Sequence, residues 1–189
     1  MNPRILGFAP FYALLGLAAL TAGCPAQPKT AKPSAMTLTL TSTSFADGQP
    51  IPEIFTCDGR DVSPPLRWTA PPAGTKSLAL IADDPDAPGG IWVHWVIFDL
   101  PPDSTELAQG VERAQYLPGG ARQGLNDFKR LGYGGPCPPR GKPHHYHFKL
   151  YALDTLLDLK PGVTKKEVEA ALQKHILARG ELTGSYQRE

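Results

Sequence analysis

Residues 82–100 include carboxylate and imidazole side chains that could bind a ligand or transfer a proton. Asp84 and Asp86 lie in an acidic loop punctuated by prolines and glycines, and an apolar segment with a single histidine, His94, follows. Proline and glycine prevent a helix from continuing through that loop. A carboxylate can orient an imidazole or accept a hydrogen bond from an ammonium group. The two carboxylates and the histidine therefore form one candidate set for ligand binding.

A second stretch, at 132–150, contains further polar side chains of the same kind. Its glycine- and proline-rich loop, with Pro138 and Pro139, leads directly to His144 and Tyr146. Prolines lower the entropy cost of holding a loop in one shape, which suits a preformed site. Imidazole, phenol and backbone N–H groups are donors that suit an oxyanion. Together, the two stretches predict a pocket for a phosphate-type anion or a phosphoethanolamine-like headgroup.

A metal site is an alternative for the same residues. Asp84, His94 and His144 have the composition of a two-histidine, one-carboxylate set, but their spacing matches no familiar metal motif. His145 and His147 alternate away from His144 and are better explained as a solvated strand face. Taken alone, His94 would be a hydrogen-bonded core histidine. We therefore expect no metal and no cofactor.

An enzyme is the third interpretation. The sequence contains no G-x-S-x-G, P-loop, H-E-x-x-H or C-x-x-C motif. A reactive thiol at Cys137, close to the predicted pocket, stays open as an alternative. So does a carboxylate that works in acid–base chemistry with His94. We expect a binding protein rather than an enzyme, with no catalytic residue assigned.

Hydrophobic patterning predicts the strands that must position these groups. The segment at 91–99 is apolar on both faces, so it should be a central strand that is covered on both sides. Regular alternation would place Trp92, His94, Val96 and Phe98 on one face of it. Asp84 should follow directly after a buried strand. The predicted strands are 36–43, 54–57, 66–68, 76–82, 91–99 and 144–153.

One C-terminal helix is predicted near 165–178. Thr164 and Glu167 have the spacing of a capping box, and Gly180 is a natural terminator. The segment at 182–186 would form a final edge strand. The sequence contains 19 glycines and 21 prolines, counts that favour a turn-rich β protein over a helical one. The chain is therefore expected to be mainly β, with one or a few peripheral helices.

The N-terminal segment has the features of a lipoprotein signal. Residues 5–20 are almost wholly apolar, and Leu20-Thr21-Ala22-Gly23-Cys24 follows. A short apolar run that ends in small residues is typical of a secretory signal. The cysteine position resembles a bacterial lipobox, in which Cys24 would be lipidated; ordinary signal cleavage near Gly23 is the alternative. We predict a signal peptide at 1–23, a tether at 24–35 and one domain at 36–189.

The charge balance and the cysteine content indicate which kinds of partner and which cellular compartment to expect. Lys and Arg number 19 against 18 Asp and Glu, a balance that argues against a nucleic-acid partner. With Cys24 lipidated, Cys57 and Cys137 remain as a pair in an exported, oxidising context. Their spacing is not that of a metal motif. We therefore predict a Cys57–Cys137 disulfide in a lipoprotein that is anchored in a bacterial cell envelope.

Several motifs, in order, resemble the phosphatidylethanolamine-binding protein (PEBP) family. They are D-P-D-A-P at 84–88, the strand histidine His94, G-x-C-P-P-x-G at 135–141 and H-x-Y at 144–146. D-G-R-D-V-S-P-P-L at 58–66 and L-Y-A-L-D at 150–154 resemble its bacterial Raf-kinase-inhibitor-like YbhB/YbcL branch. The resemblance covers nearly all of 37–187.

The resemblance implies a PEBP-like β-sandwich with one small pocket that binds an anion or a phospholipid headgroup. Matched by motif, the ligand-binding residues would be Asp84, Asp86, His94, Pro138, Pro139, His144 and Tyr146. Family membership alone does not determine function, because one fold carries many functions. Two classes stay open: a headgroup-binding module attached to a membrane, and an inhibitor or regulator of an envelope protease or a kinase-like protein partner.

Overall fold

The computed structural model describes residues 36–189; the predicted signal peptide, Cys24 and tether lie outside the described residues. No helix in this part of the chain is both long and apolar enough to cross a membrane. The single α-helix of residues 36–189, α1, is Lys165–Leu172. The strands are β1 Met36–Thr37, β2 Leu40–Thr41, β3 Gln49–Pro50, β4 Leu66–Trp68, β5 Ser77–Asp84, β6 Trp92–Leu100, β7 Glu106–Leu107, β8 Arg122–Gln123, β9 His144–Leu153 and β10 Ile176–Tyr186.

The strands form two sheets. The larger has the order β1-β10-β9-β5-β6-β8, with β3 also paired to β10, and the smaller has the order β2-β4-β7. Side chains of both sheets, such as Leu66, Trp95 and Leu150, share one buried core. A second core, which includes Phe98 and Val168, lies between the larger sheet and α1. Both faces of the central strands are therefore covered, and the predicted mainly β sandwich is confirmed.

The sequences of β5 and β6 explain why these two strands lie at the centre of the larger sheet. All eight residues of β5 are buried, and β6 is buried from Val93 to its end. Each strand has a neighbour on both sides, and an apolar residue on either face is then removed from water. Both strands were predicted within one or two residues of their observed ends.

A bulge in β6 changes the predicted faces of that strand. Asp83 pairs with Val93 and Ala82 pairs with Trp95, so His94 is an extra residue with no partner of its own on β5. Strict alternation would place His94 beside Val96, which packs in the core beneath α1. The bulge instead turns the His94 ring toward the side of the inter-sheet core.

The C-terminal segment differs most from its prediction. The helix ends at Leu172 rather than 178, and β10 begins at Ile176 and pairs with β9 over most of its length. β10 also pairs with β1 and β3, so it is not the edge strand predicted at 182–186. Helical propensity is a weak preference, and tertiary pairing overrides it here.

Three smaller predictions are also wrong. Gly180 does not end a helix; it lies in β10, where a Cβ would come within 2.6 Å of the Leu38 carbonyl oxygen. The predicted strand at 36–43 is divided into β1 and β2, which belong to different sheets. The segment predicted as a strand at 54–57 begins instead as a 3₁₀ turn, Glu53–Phe55.

Candidate functional site

A cavity of about 180 Å³ lies where β5, β6 and β9 meet the proline-rich loop at 135–143. The structure brings five of the seven predicted ligand-binding residues to its wall: Asp84, His94, Pro138, Pro139 and His144. The other lining residues are Ala87, Pro88, Trp92, Phe128 and Cys137. The wall thus combines two imidazoles and a carboxylate with apolar side chains, the usual composition of a small-ligand pocket.

Hydrogen bonds with Gly134 and packing against two aromatic rings hold His94 in the cavity wall. Its Nδ1–H donates to the Gly134 carbonyl oxygen at 2.6 Å, and the Gly134 N–H donates to the His94 carbonyl oxygen at 2.9 Å. The ring packs edge-on against Tyr146 and Phe128, with centroids 5.1 and 5.4 Å away. Burial of the imidazole lowers the pKa of His94 below its ordinary value, and the hydrogen bond to Gly134 opposes this only in part.

His144 and Asp84 form a buried pair at the ends of β9 and β5. His144 Nδ1–H donates to Asp84 Oδ2 at 2.7 Å, and the backbone N–H of Asp86 donates to Asp84 Oδ1 at 2.8 Å. Asp84 therefore orients the imidazole instead of pointing a free carboxylate at a ligand. His144 Nε2 is left as the nitrogen of that ring that can meet a ligand.

Asp86, another predicted ligand-binding residue, is not among the residues that line this cavity. Its Oδ2 accepts hydrogen bonds from the backbone N–H of His145 at 2.9 Å and from His145 Nδ1 at 2.7 Å. The side-chain bond to His145 is the main reason that the pKa of Asp86 is lowered. The Asp84 side chain accepts from the backbone N–H of Asp86. This local hydrogen bond turns the chain directly after Asp84, so Asp86 lies away from the cavity. Asp86 thus fastens the loop to the start of β9.

Tyr146 lies beneath the wall rather than in it. Its ring is buried in the inter-sheet core beside His94. Among the described residues, its hydroxyl is the one buried side-chain polar atom with no hydrogen-bond partner. Burial, followed by the charge of Asp84, raises the pKa of Tyr146. The phenol is therefore neutral and keeps its proton.

The predicted Cys57–Cys137 disulfide is present in the structure and holds the loop of the cavity wall. The two Cα atoms are 5.4 Å apart, and Cys137 lines the cavity beside Pro138. The Cys57 N–H donates to the Pro136 carbonyl oxygen at 3.0 Å. Since Cys137 is bonded, the free thiol considered for an enzyme is not present.

Hydrogen bonds reinforce this anchoring on both sides of the disulfide. The Tyr133 hydroxyl donates to the Phe55 carbonyl oxygen at 2.9 Å, and the Gly135 N–H donates to Asp61 Oδ1 at 2.6 Å. Arg113 and Arg130 both lie within salt-bridge distance of the Asp61 carboxylate. The loop that carries Pro138 and Pro139 is therefore preformed.

Several wall residues were not predicted as ligand-binding residues. Trp92 lies on the face predicted for His94, and Ala87 and Pro88 belong to the D-P-D-A-P motif, so the sequence held a signal for them. Phe128 had no such signal, because it reaches the site from an irregular loop that is distant in sequence. His145 and His147 point away from His144 and pair with Asp86 and Glu181, as expected for a strand's outer face.

Within residues 36–189, no group of three or more histidine, cysteine, aspartate or glutamate side chains is arranged to hold a metal ion. The Asp84 oxygens that a metal would use already accept from His144 and from the backbone of Asp86. The geometry thus gives Asp84 the role of orienting His144.

The fold and the cavity define a β-sandwich with a small preformed pocket at its strand ends. Residues 41–187 match the family model described as phosphatidylethanolamine-binding protein. The chain therefore belongs to the phosphatidylethanolamine-binding protein family, as its motifs predicted.

Similar proteins are found in archaea and bacteria. A UPF0098 protein of Methanothermobacter thermautotrophicus is 53% identical over 151 residues, which cover 80% of this chain and 99% of that protein. A Mycobacterium tuberculosis protein named as a candidate lipoprotein, LppC, is 43% identical over 159 residues, covering 84% of this chain and 76% of LppC.

Solved structures agree with the fold. Escherichia coli YbcL, described as a member of the mammalian PEBP family, has a TM-score of 0.75 at 37% identity and covers 80% of this chain and 99% of its own. A PEBP homologue of Chlamydia trachomatis has a TM-score of 0.74 at 41% identity, covering 82% of this chain and 100% of its own. Family membership fits a binding protein rather than an enzyme.

Proposed function

We propose that this chain is a non-enzymatic binding protein whose pocket holds a phosphate-type anion or a phosphoethanolamine-like headgroup. One observation carries the proposal: His94 and His144 line the same cavity, and each uses Nδ1 to bond a protein acceptor. Each ring thus keeps Nε2 for a ligand. When protonated, His144 donates its Nε2–H to phosphate in a charge-assisted hydrogen bond, which is stronger than a neutral one.

Calorimetric titration with inorganic phosphate and with phosphoethanolamine tests this proposal. His144→Ala should weaken both ligands at least about tenfold, since a charge-assisted bond is worth about 1.5–3 kcal/mol. His175→Ala is a matched control, because His175 also bonds a carboxylate, Asp154 Oδ1 at 2.7 Å. Equal affinity in wild type and His144→Ala would contradict the proposal. So would the absence of binding at millimolar ligand, because a millimolar Kd corresponds to a binding free energy of only about −4 kcal/mol.

We further propose that the domain is exported and anchored to a membrane of the cell envelope. The lipobox-like sequence before Cys24 supports this, as does the candidate lipoprotein LppC among its relatives. The Cys57–Cys137 disulfide suits an oxidising compartment. Fractionation of the wild type and of Cys24→Ser is the test. We expect only the variant to leave the membrane fraction, and equal solubility of the two would refute the anchor.

Regulation of a protein partner is the second candidate function. Ile91 and Trp92 are exposed by 57% and 39%, and Trp92 lies at the cavity itself. Large exposed apolar side chains at one place are typical of interaction surfaces. Crosslinking in the envelope, with wild type and Ile91→Ser compared, would identify such a partner. A partner lost in Ile91→Ser, with phosphate binding unchanged, would favour this function.

A further inference from the structure

We infer that the pocket selects ligands whose phosphate carries a proton, and so prefers phosphate monoesters to the phosphodiesters of intact phospholipids, because His94 offers a hydrogen-bond acceptor to the ligand. The inference rests on the proposed function and specifies its ligand class. Of the two headgroup sources, it favours free phosphomonoesters over lipid. It depends on which nitrogen of His94 carries the proton.

The protonated nitrogen follows from the Gly134 contact. A carbonyl oxygen only accepts hydrogen bonds, so at 2.6 Å the proton must be on His94 Nδ1. A neutral imidazole has one N–H, and Nε2 therefore holds a lone pair. The reciprocal bond from the Gly134 N–H to His94 fixes the two backbones together. The ring cannot exchange its nitrogens without breaking this arrangement.

The surroundings keep the ring neutral. His94 is only 3% exposed, and burial, the largest effect on its pKa, lowers it. Nearby carboxylates act in the opposite direction but do not reverse the shift. The charged groups that act on the ring from the neighbouring strand are Asp84 and Asp83 of β5. Tyr146 of β9 packs against the ring, His144 lines the same cavity, and Arg130 lies over the ring of Phe128.

A lone pair at Nε2 discriminates between phosphates. A monoester monoanion, like inorganic phosphate, has a P–OH group that can donate to His94 Nε2. Its other oxygens accept from His144 Nε2–H when that ring is protonated, since the Nδ1–H of His144 is bonded to Asp84. A phosphodiester has only acceptor oxygens, and one of them would face the lone pair. It would bind only if His94 took up a proton against the cost of burial. A site that bonds a ligand hydroxyl strongly rejects analogues without it.

Inorganic phosphate and sulfate separate this effect from charge and shape. Both are tetrahedral anions, but at pH 7 only phosphate carries a proton. Calorimetry on the wild-type chain should give phosphate at least about tenfold higher affinity than sulfate. Near pH 6, where about half of it is the monoanion that carries a P–OH group, phosphoethanolamine should likewise bind more tightly than glycerophosphoethanolamine, which keeps the ammonium group but is a diester. That second ratio should grow as pH falls toward 6, since the second pKa of a phosphate monoester is about 6.

His94→Gln supplies the internal control. A glutamine amide can donate or accept, so the preference for phosphate over sulfate should collapse in this variant, whereas His175→Gln should retain it. Sulfate bound as tightly as phosphate by wild type, or glycerophosphoethanolamine as tightly as phosphoethanolamine, overturns the inference and leaves the anion pocket standing. If none of the four probes binds, the proposed function fails and this inference fails with it. The wild-type ratios decide the question even if His94→Gln does not fold.

Discussion

At the residue scale, one β-bulge determines where the His94 ring points, and one carbonyl oxygen determines which of its nitrogens carries the proton. The bulge turns its ring from the core beneath α1 toward the cavity, and Gly134 fixes the tautomer. His144 is oriented in the same way by Asp84. Both imidazoles are thus preoriented by Nδ1 bonds, and little reorganisation is needed when a ligand binds.

The buried His94 should make the stability of the fold depend on pH. Its pKa in the folded protein lies below the ordinary 6.5, so the unfolded chain binds a proton more readily. The contribution to stability is therefore fully present above pH 6.5 and is lost as the pH falls from there toward the folded pKa. Urea unfolding between pH 7.5 and 5 should show this loss in wild type and less of it in His94→Gln. A slope equal to that of wild type in His94→Gln would contradict the explanation, and His175→Gln serves as control.

Two buried tyrosines offer a matched comparison. The Tyr146 hydroxyl has no partner in the described part of the chain, whereas the Tyr133 hydroxyl donates to the Phe55 carbonyl oxygen. Tyr146→Phe should leave the free energy of unfolding unchanged or raise it by about 1 kcal/mol, and Tyr133→Phe should lower it by about 1–2 kcal/mol. Urea titration measures both. An equal loss in the two variants would show that Tyr146 has a partner such as bound water.

At the element scale, a buried ion pair network connects the centre of the sheet to α1. Asp83 of β5 accepts from Lys149 of β9 at 2.8 Å and from Lys165, the first residue of α1. The Asp83 side chain is fully buried, while both lysines keep some contact with solvent. The network fastens the helix over the second core.

Removing the carboxylate should therefore destabilise the fold. Asp83→Ala leaves two partly buried ammonium groups without a partner, and a broken buried pair costs about 3–5 kcal/mol. Because the lysines reach solvent, we expect a loss near the lower end, about 3 kcal/mol. Chemical unfolding of Asp83→Ala would measure it, with the exposed Glu106→Ala, which breaks a surface pair with Arg67, as control. A loss no larger than that of the control would show that the network adds nothing.

At the scale of the whole molecule, the disulfide joins segments that are 80 residues apart in the sequence. A crosslink closing such a loop contributes about 4 kcal/mol in the chain-entropy description. The double variant Cys57→Ser, Cys137→Ser should lose stability of that order and bind phosphate more weakly, since its wall loop is less restrained. Unfolding with and without reductant is the measurement. Reductant should destabilise wild type and leave the double variant unchanged; no effect on wild type would contradict the prediction.

Much of the architecture could be predicted because it depends on local patterns. β5, β6 and β9 carry unbroken or alternating apolar residues, and periodicity of that kind reports burial directly. The capping box of Thr164 and Glu167 likewise marked the start of α1 correctly. The end of α1 was not predictable in this way, because residues after Leu172 suit a helix locally and become a strand only through pairing with β9.

The features of the candidate site can likewise be separated into those that the sequence predicted and those that it did not. The sequence by itself determined the chemical types in the pocket, since motif spacing brought Asp84, His94 and His144 together as candidates. Only the tertiary structure decided their roles. A strand pairing that skips His94 sets the direction of its ring, and a carbonyl 40 residues away sets which of its nitrogens is protonated. Pairing register and long-range hydrogen bonds are properties of the folded chain, so no local pattern encodes them.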